Sequence, residues 1–383
     1  MTEKNKIVFV VNPKSGTQSK KAILKWIDER MDPSVYDYSI VKTEYAGHAT
    51  QIAASAVENK ADMVVAIGGD GTINEIARSL VHSDTALGII PCGSGNGLAR
   101  HLHIPMDPKA AIDIINQGNR LCIDYGKINN IPFFCTCGVG FDAFVSLKFA
   151  DSGKRGLLTY LENTLHESLT YQPETYEIEN EEGTMKYKAF LIACGNASQY
   201  GNNAYITPQA SLTDGLMDVT IMEPFNVLDV PSLSFQLFNK TIDQNSRIKT
   251  MRAKKIKIHR THDGVLHFDG DPLMAGKELE IEIIPQGLHV ITSVKKDKEK
   301  EESLNLLQVI SDYFIGLHLK GEELLEKRQK QKREAEERQK KKQEQEKAEK
   351  EQEKAIQQAI EKDLPAKVEK ALEKELQKIF SKR

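Results

Sequence analysis

The sequence predicts an α/β protein of two domains, an alternating α/β domain followed by a β-rich sandwich domain, with a charged helical tail. Three observations carry that expectation. Strand-like and helix-like runs alternate from Lys6 to about Gln117, the pattern of a largely parallel sheet covered by helices. From Leu121 the chain changes to short runs of alternating polarity divided by turns, which suits antiparallel strands. From Glu326 to Glu353 no apolar residue larger than alanine occurs, so that stretch has nothing to bury. The expected boundaries are 1–121 for the α/β domain, completed by 288–320, then 122–287 for the β-rich domain and 321–383 for the tail.

In the first domain the candidate strands are KIVFVV, YDYSIV, ADMVVAIG and ALGIIP, separated by helical runs such as KKAILKWIDERM and ATQIAASAVEN. Met63 to Ile67 is continuously apolar, as a strand covered on both faces must be. In the second domain LCIDYGKIN, PFFCTCGVGF, TYEIEN, MKYKAFLIAC, MDVTIM, KKIKIHR, VLHFDGD and ELEIEIIP read as strands. Helical insertions are expected at Arg155–Ser168 and Leu228–Asn239. LLQVISDYFIGL, residues 306–317, is expected to pack on the body. In the tail, Glu, Lys, Arg and Gln favour a solvated helix laced by i,i+4 charge pairs, which Pro365 interrupts. Beyond it Val368, Leu372, Leu376 and Ile379 fall on one helical face, suited to docking on the body, a protein partner, a second copy of the chain or a membrane.

Composition sets limits on function. The 383 residues are 40% hydrophobic with a formal charge of -3, an ordinary globular composition that gives no reason to expect a nucleic-acid partner. Cys92, Cys122, Cys135, Cys137 and Cys194 show no CxxC spacing, so a zinc site or disulfide framework is not expected. No apolar stretch approaches membrane-spanning length, and MTEKNKIVFVV runs directly into a strand. A cytoplasmic location is the expectation.

The stretch VVAIGGDGTINEIARSL carries the most chemistry. Gly68, Gly69 and Gly71 lie between the apolar run and a helix marked by Ile73, Ile76, Ala77 and Leu80, so they form a strand-to-helix turn. Such a turn presents backbone N–H groups and a helix N-terminus to an anion such as phosphate. Asp70 inside it would repel phosphate unless a divalent cation lies between them, which points to nucleotide plus magnesium. NPKSG after the first strand and PCGSGNG after the fourth are further polar glycine turns. In a parallel sheet all three lie at the carboxyl ends of strands and line one crevice. GSGNG is not the complete GxGxxG, and GxxxxGK[ST] is absent, so phosphoryl transfer here needs another scaffold.

Taken in order, VNPKSG, GGDGTINE, PCGSGNGLAR, GVGFDA, LTDGLMDV and FDGDP resemble the diacylglycerol kinase catalytic family, bacterial soluble lipid kinases together with sphingosine and ceramide kinases, from about Lys6 to Thr292. The resemblance implies a fold related to NAD kinase, and ATP- and Mg2+-dependent phosphorylation of a lipid hydroxyl at a membrane surface. It puts Asn12, Ser15 and Gly16 near the nucleotide and Thr43 near the base. Gly68, Gly69, Gly71 and Thr72 surround the phosphates, with Gly93, Ser94, Gly95 and Asn96 in the same crevice. Asp70 would hold magnesium, supported by Glu75. Asp124 belongs to the same acidic network and is expected with Asp70 as a metal residue, and Asp214 matches a position tied in some members to a structural magnesium. Asp271 is the expected base for the lipid hydroxyl, with Asp70 its rival; Asp269 and Asp271 flank Gly270 in one hairpin-sized loop. Asp142 either touches substrate or caps a turn, and His48, His101 and His103 read as surface or packing residues.

Two departures matter. Gly97 stands where many bacterial diacylglycerol kinases carry the aspartate of GTxND, which removes one acid from the network. PCGSGN instead resembles the sphingosine-kinase form, although Phe144 lies near where those enzymes place an acid. Diacylglycerol and sphingoid bases both stay open as substrates. The alternatives are a soluble-substrate kinase like NAD kinase, or a catalytically weak platform for the tail.

Overall fold

The computed structural model describes residues 4–16, 18–152, 171–293 and 368–378. The chain divides into a body, Met1–Lys295, and a second unit, Lys296–Arg383. In the body, β1 (Asn5–Val11), α1 (Lys20–Arg30), β2 (Tyr36–Lys42), α2 (His48–Glu58), β3 (Met63–Gly68), α3 (Asp70–Leu80) and β4 (Ala86–Pro91) alternate as expected. α4 (Gly97–His101) and α5 (Pro108–Gln117) follow. β2, β1, β3 and β4 pair in parallel, in that order. Every residue of β3 and β4 is buried, and each such Val, Ile or Leu stabilises the fold by roughly 1.5–3 kcal/mol. That burial fixes the strand ends from which two of the glycine turns spring.

The β-rich half contains β5 (Arg120–Ile128), β6 (Ile131–Phe133), β7 (Thr136–Gly140), α6 (Phe141–Ser152), β8 (Glu174–Asn180), β9 (Gly183–Ala189) and β10 (Leu191–Gly195). It continues with β11 (Met217–Met222), α7 (Val230–Phe238), β12 (Ile248–Ala253), β13 (Lys255–Arg260), β14 (Gly264–Phe268), β15 (Asp271–Ala275) and β16 (Glu278–Ile291). β16 joins the halves. It pairs in parallel with β4 at Val290 and Leu87 and antiparallel with β5 and β13, so one sheet runs β2-β1-β3-β4-β16-β13-β8-β9. A second sheet, β12-β11-β10-β7-β14-β15, packs on its distal part. Ile178, Ile256 and Ile281 from the first sheet meet Cys137, Val219 and Leu266 from the second in one sandwich core.

Two runs that read as single strands are each divided between the sheets. PFFCTCGVGF becomes β6 in the first and β7 in the second, because the N–H groups of Phe134, Cys135 and Thr136 turn onto the Asp269 carboxylate. MKYKAFLIAC breaks at Phe190, whose N–H donates to Met222 and whose carbonyl accepts from Phe141. A third core cluster lies around α6 and α7, built on Phe141, Phe190, Leu191, Met222 and Leu233. The helix expected at Leu228–Asn239 is α7. The insertion at Arg155–Ser168 lies outside the described residues, as do the segments 306–317 and 326–353. In the second unit a helix covers 368–378, with Val368, Leu372 and Leu376 on one side of it; Ile379 lies outside the described residues.

Candidate active site

The three glycine turns converge. Gly16 has φ +57°, and a Cβ there would stand 1.6 Å from the carbonyl oxygen of Cys92, so only glycine lets NPKSG lie against PCGSGNG. Gly69 and Gly93 approach so closely that a Cβ on Gly93 would lie 2.6 Å from the Gly69 Cα. Asn12 ties the first turn to the second by donating from Nδ2 to Thr72 Oγ1 at 3.0 Å. Ser15 Oγ donates to the Asn12 carbonyl at 3.0 Å. Thr43, after β2, donates its N–H to Val11 at 2.9 Å and so sits beside the first turn. Asn96, in a left-handed conformation, accepts from Gly93 N and donates back to Gly93 O, which closes PCGSGNG on itself. Ser94 and Gly95 form its rim, and Arg100 donates to the Gly95 carbonyl at 3.0 Å.

The acids of GGDGTINE are engaged with neighbouring helices. Asp70 Oδ2 accepts from Asn96 N at 2.8 Å and Oδ1 from Gly97 N at 2.7 Å, so this first residue of α3 serves the orphan N–H groups at the start of α4. Burial pushes its carboxyl above the usual range, opposed by those two N–H groups and by Arg100. Glu75, one turn on, accepts from Gly47 N at 3.1 Å and Ala49 N at 3.2 Å, which caps α2. A carboxylate beside the glycine turns is of the type that would hold a magnesium ion brought by a nucleotide. Among the described residues no three His, Cys, Asp or Glu side chains form a ready metal cluster.

Asp124 and Asp214 are differently placed. Asp124 is 1% exposed; its oxygens accept from Gly215 N at 2.7 Å and Gln286 N at 2.8 Å. It braces the 212–215 loop against the bulge in β16 and has no face open to a metal. Asp214 pairs through Oδ2 with Arg252, accepts from Leu216 N through Oδ1, and shares Arg252 with Asp218. The Arg252 guanidinium supplies the positive charge beside Asp214 and Asp218. At the two positions where a magnesium role is expected, the structure thus shows a buried brace at Asp124 and a pairing with Arg252 at Asp214.

The acid hairpin between β14 and β15 separates Asp269 from Asp271 sharply. Asp271, the expected base, is exposed and makes one long contact, 3.5 Å to Arg78. Asp269 is enclosed: Oδ1 accepts from Cys135 N at 2.7 Å and Thr136 N at 3.2 Å, and Oδ2 from Phe134 N at 2.9 Å. Burial raises its carboxyl to about 6, against the pull of those N–H groups and of Arg78. Cys135 lies between Asp269 and Asp70 and feels the charge of both, its thiol raised first of all by burial. Gly97, in place of the missing aspartate, packs its α-carbon towards Cys135: a Cβ there would stand 3.4 Å from Sγ. The site thus runs from the glycine turns through Asp70, Gly97 and Cys135 to Asp269.

Asp142 caps rather than lines the opening. It accepts from Ala143 N at 2.8 Å, Tyr200 OH at 3.0 Å and His267 Nε2 at 3.0 Å, which fixes the start of α6. Above it Phe141, Phe144, Tyr171, Phe190 and Phe225 form a chain of ring contacts at 4.4–5.7 Å. His101 is a packing residue: Nδ1 takes the Ser198 N–H and lies 2.9 Å from the hydroxyl, and burial lowers the ring to about 4. A groove of about 580 Å³ between α2 and the β1–β2 edge lies away from all these groups. Sequence reading gave no role to Arg78, Arg100 or Arg252: Arg78 and Arg252 meet their partners 193 and 38 residues away, while Arg100, which ends PCGSGNGLAR, carries the one local signal.

Comparison with known proteins gives the class. Residues 6–128 match the diacylglycerol kinase catalytic domain, and 135–292 match the YegS C-terminal NAD kinase beta sandwich-like domain. The chain belongs to the diacylglycerol kinase catalytic family, a family of lipid kinases. A protein named "Probable lipid kinase YegS" from Escherichia fergusonii is 30% identical over 290 residues, covering 73% of this chain and 94% of that one. A diacylglycerol kinase from Bacillus subtilis is 28% identical over 303 residues, covering 78% and 98%. A crystal structure of a diacylglycerol kinase from Bacillus anthracis has the same fold, with TM-score 0.60 and 20% identity over 77% of this chain and 99% of that one.

Proposed function

We propose that the protein transfers the γ-phosphoryl group of ATP to a lipid hydroxyl, on diacylglycerol or a sphingoid base, with Asp269 as the general base. The observation that carries this reading is Asp269 itself. It is held by three backbone N–H groups at the end of a crevice that begins in the glycine turns, and its carboxyl is raised to about 6. A base of that strength is ionised at neutral pH yet still takes a proton readily. Oδ2 holds a single N–H, which leaves a lone pair for the acceptor hydroxyl.

The glycine turns bind the nucleotide phosphates through backbone N–H groups, and Asn12, Ser15 and Thr43 flank it. Magnesium, when bound, neutralises charge on the phosphates, with Asp70 as its protein carboxylate. Asn96 and Gly97 N–H hold that carboxylate in place. The partly buried rings of Phe144, Tyr171 and Phe225, packed on the core of Phe141 and Phe190, are apolar enough to meet an acyl or alkyl chain, which favours a lipid over a soluble acceptor such as NAD. The lipid lies in a membrane, so the protein works at a membrane surface from the cytoplasmic side; the tail, through Val368, Leu372 and Leu376, recruits a protein partner or a second copy. The test is phosphoryl transfer from labelled ATP, with Mg2+ and mixed micelles, to diacylglycerol, sphingosine, ceramide and monoacylglycerol, with NAD as the soluble control. Turnover of NAD without lipid, or ATP binding with no acceptor used, would falsify the reading.

A further inference from the structure

Arg78 is the residue whose surroundings the proposed reaction does not yet use. It lies in the last turn of α3, the helix that begins at Asp70, and it meets the acid hairpin at two places. Its guanidinium carbon stands 5.0 Å from the centre of the Phe268 ring, and NH2 lies 3.5 Å from Asp271 Oδ2. Its charge also acts on the Asp269 carboxylate. Its Nε is buried and has no hydrogen-bond partner. An arginine serving only as a strut would satisfy its donors, since a buried unpaired N–H costs about 1–3 kcal/mol. This one is instead committed to a ring face and to negative charge, the two things a guanidinium supplies without directed bonds.

We propose that Arg78 is a positioning residue for phosphoryl transfer: stacked on Phe268 and paired with Asp271, it fixes the acid hairpin on α3 and brings a cation to the Asp269 carboxylate. One rigid helix then sets both the glycine turn at its start and the base at its end. The N–H groups of Phe134, Cys135 and Thr136 also favour the ionised form of Asp269, but none of them carries a net charge. The Cys135 and Cys137 thiols, themselves raised by burial, stay neutral, and Asp271 on the same hairpin is a like charge. Arg78 is the cation that offsets it.

The inference rests on Asp269 being the base, and its test separates the two claims. Full-length wild type, Arg78→Met, Arg78→Lys and Asp269→Asn are compared by carboxyl 13C NMR on aspartate-labelled protein, with Asp269→Asn assigning the resonance, and by the pH dependence of kcat/KM. Arg78→Met should move the Asp269 titration and the acid limb of the rate profile to higher pH together, by about one pH unit. Arg78→Lys, which keeps the charge, should leave both near the wild-type position, with a several-fold lower kcat from the lost stack and unchanged ATP affinity. An Asp269 titration that stays put in Arg78→Met, folded as judged by Tm, overturns the role of Arg78 whatever the activity. If the titration moves but Asp269→Asn turns over normally, the coupling stands and the assignment of the base fails.

Discussion

The two ends of α3 treat carboxylates in opposite ways. At its start Asp70 gives one oxygen to Asn96 N and the other to Gly97 N, and Glu75 gives both of its own to the head of α2. At its far end Arg78 faces Asp269, which is held as tightly by backbone but retains an oxygen with one N–H and a carboxyl raised to about 6. The first end is organised to be rigid, the second to exchange a proton. The lesson is that an acid in a motif is identified by its surroundings as well as by what its oxygens hold: Asp70 fixes the start of a neighbouring helix, whereas Asp269, with its carboxyl raised to about 6 by burial, is suited to exchange a proton.

The strongest way to break this contrast is Asp269→Asn. Removing a general base should lower kcat by about a hundredfold or more, with ATP affinity nearly unchanged, as single-turnover assays and nucleotide titration will read. Activity of the wild type should rise as pH passes upward through about 6, where Asp269 ionises. Stability moves the other way for this group. Its folded value lies above the ordinary carboxylate value, so the fold binds the proton more tightly than the unfolded chain, and the stabilisation present at low pH is lost between about 4 and 6. His101, held neutral down to about 4, acts in the opposite sense over much of that window. The sign is therefore read from the difference between wild type and Asp269→Asn in urea melts at several pH values.

Asp70→Asn probes the rigid end. An amide offers one acceptor where the carboxylate offers two, so either Asn96 N or Gly97 N faces an NH2 group and loses its partner. That costs on the order of 1–3 kcal/mol of stability and loosens PCGSGNG. The expected signature is a lower Tm with weaker ATP binding, and a rate that rises further when Mg2+ is increased. A variant with wild-type Tm and nucleotide affinity would show that the caps on α4 carry no energy. Glu75→Ala should be milder, about 1 kcal/mol by thermal melt, the worth of one helix cap, with kcat near wild type because Glu75 faces α2 rather than the crevice.

How much of this was legible beforehand follows from the range of the forces involved. The alternation of the first domain, the glycine turns and their convergence were readable, because strand periodicity and glycine spacing are local and parallel sheets gather their turns at one edge. The divided strands were not, since PFFCTCGVGF has one continuous apolar pattern and the break comes from Asp269, more than 130 residues away. The same distance hid the difference between Asp269 and Asp271. Two aspartates around one glycine look alike until one of them is found under the N–H groups of another strand. Asp214 likewise reads as a metal-loop aspartate until Arg252, two strands of sheet later in the chain, is seen to hold it.

The smallest expected effect, and the one that sharpens the contrast most, is Asp271→Asn. This side chain is 56% exposed and its partner Arg78 26% exposed, so the pair is largely screened and should be worth about 0.5 kcal/mol or less to the fold. Thermal melts of the variant and wild type should nearly coincide. Its effect on turnover should be indirect. Losing Asp271 frees Arg78 to act on Asp269 alone and removes a like charge from the same hairpin, and both changes favour the ionised base. The acid limb of the rate profile should therefore move slightly to lower pH, the reverse of Arg78→Met, while kcat at neutral pH changes by less than about tenfold. A loss as deep as that of Asp269→Asn, with the acid limb abolished, would return the role of base to Asp271. The enclosed carboxylate of Asp269 would then be one more brace, like Asp124, and the two ends of α3 would differ less than their geometry suggests.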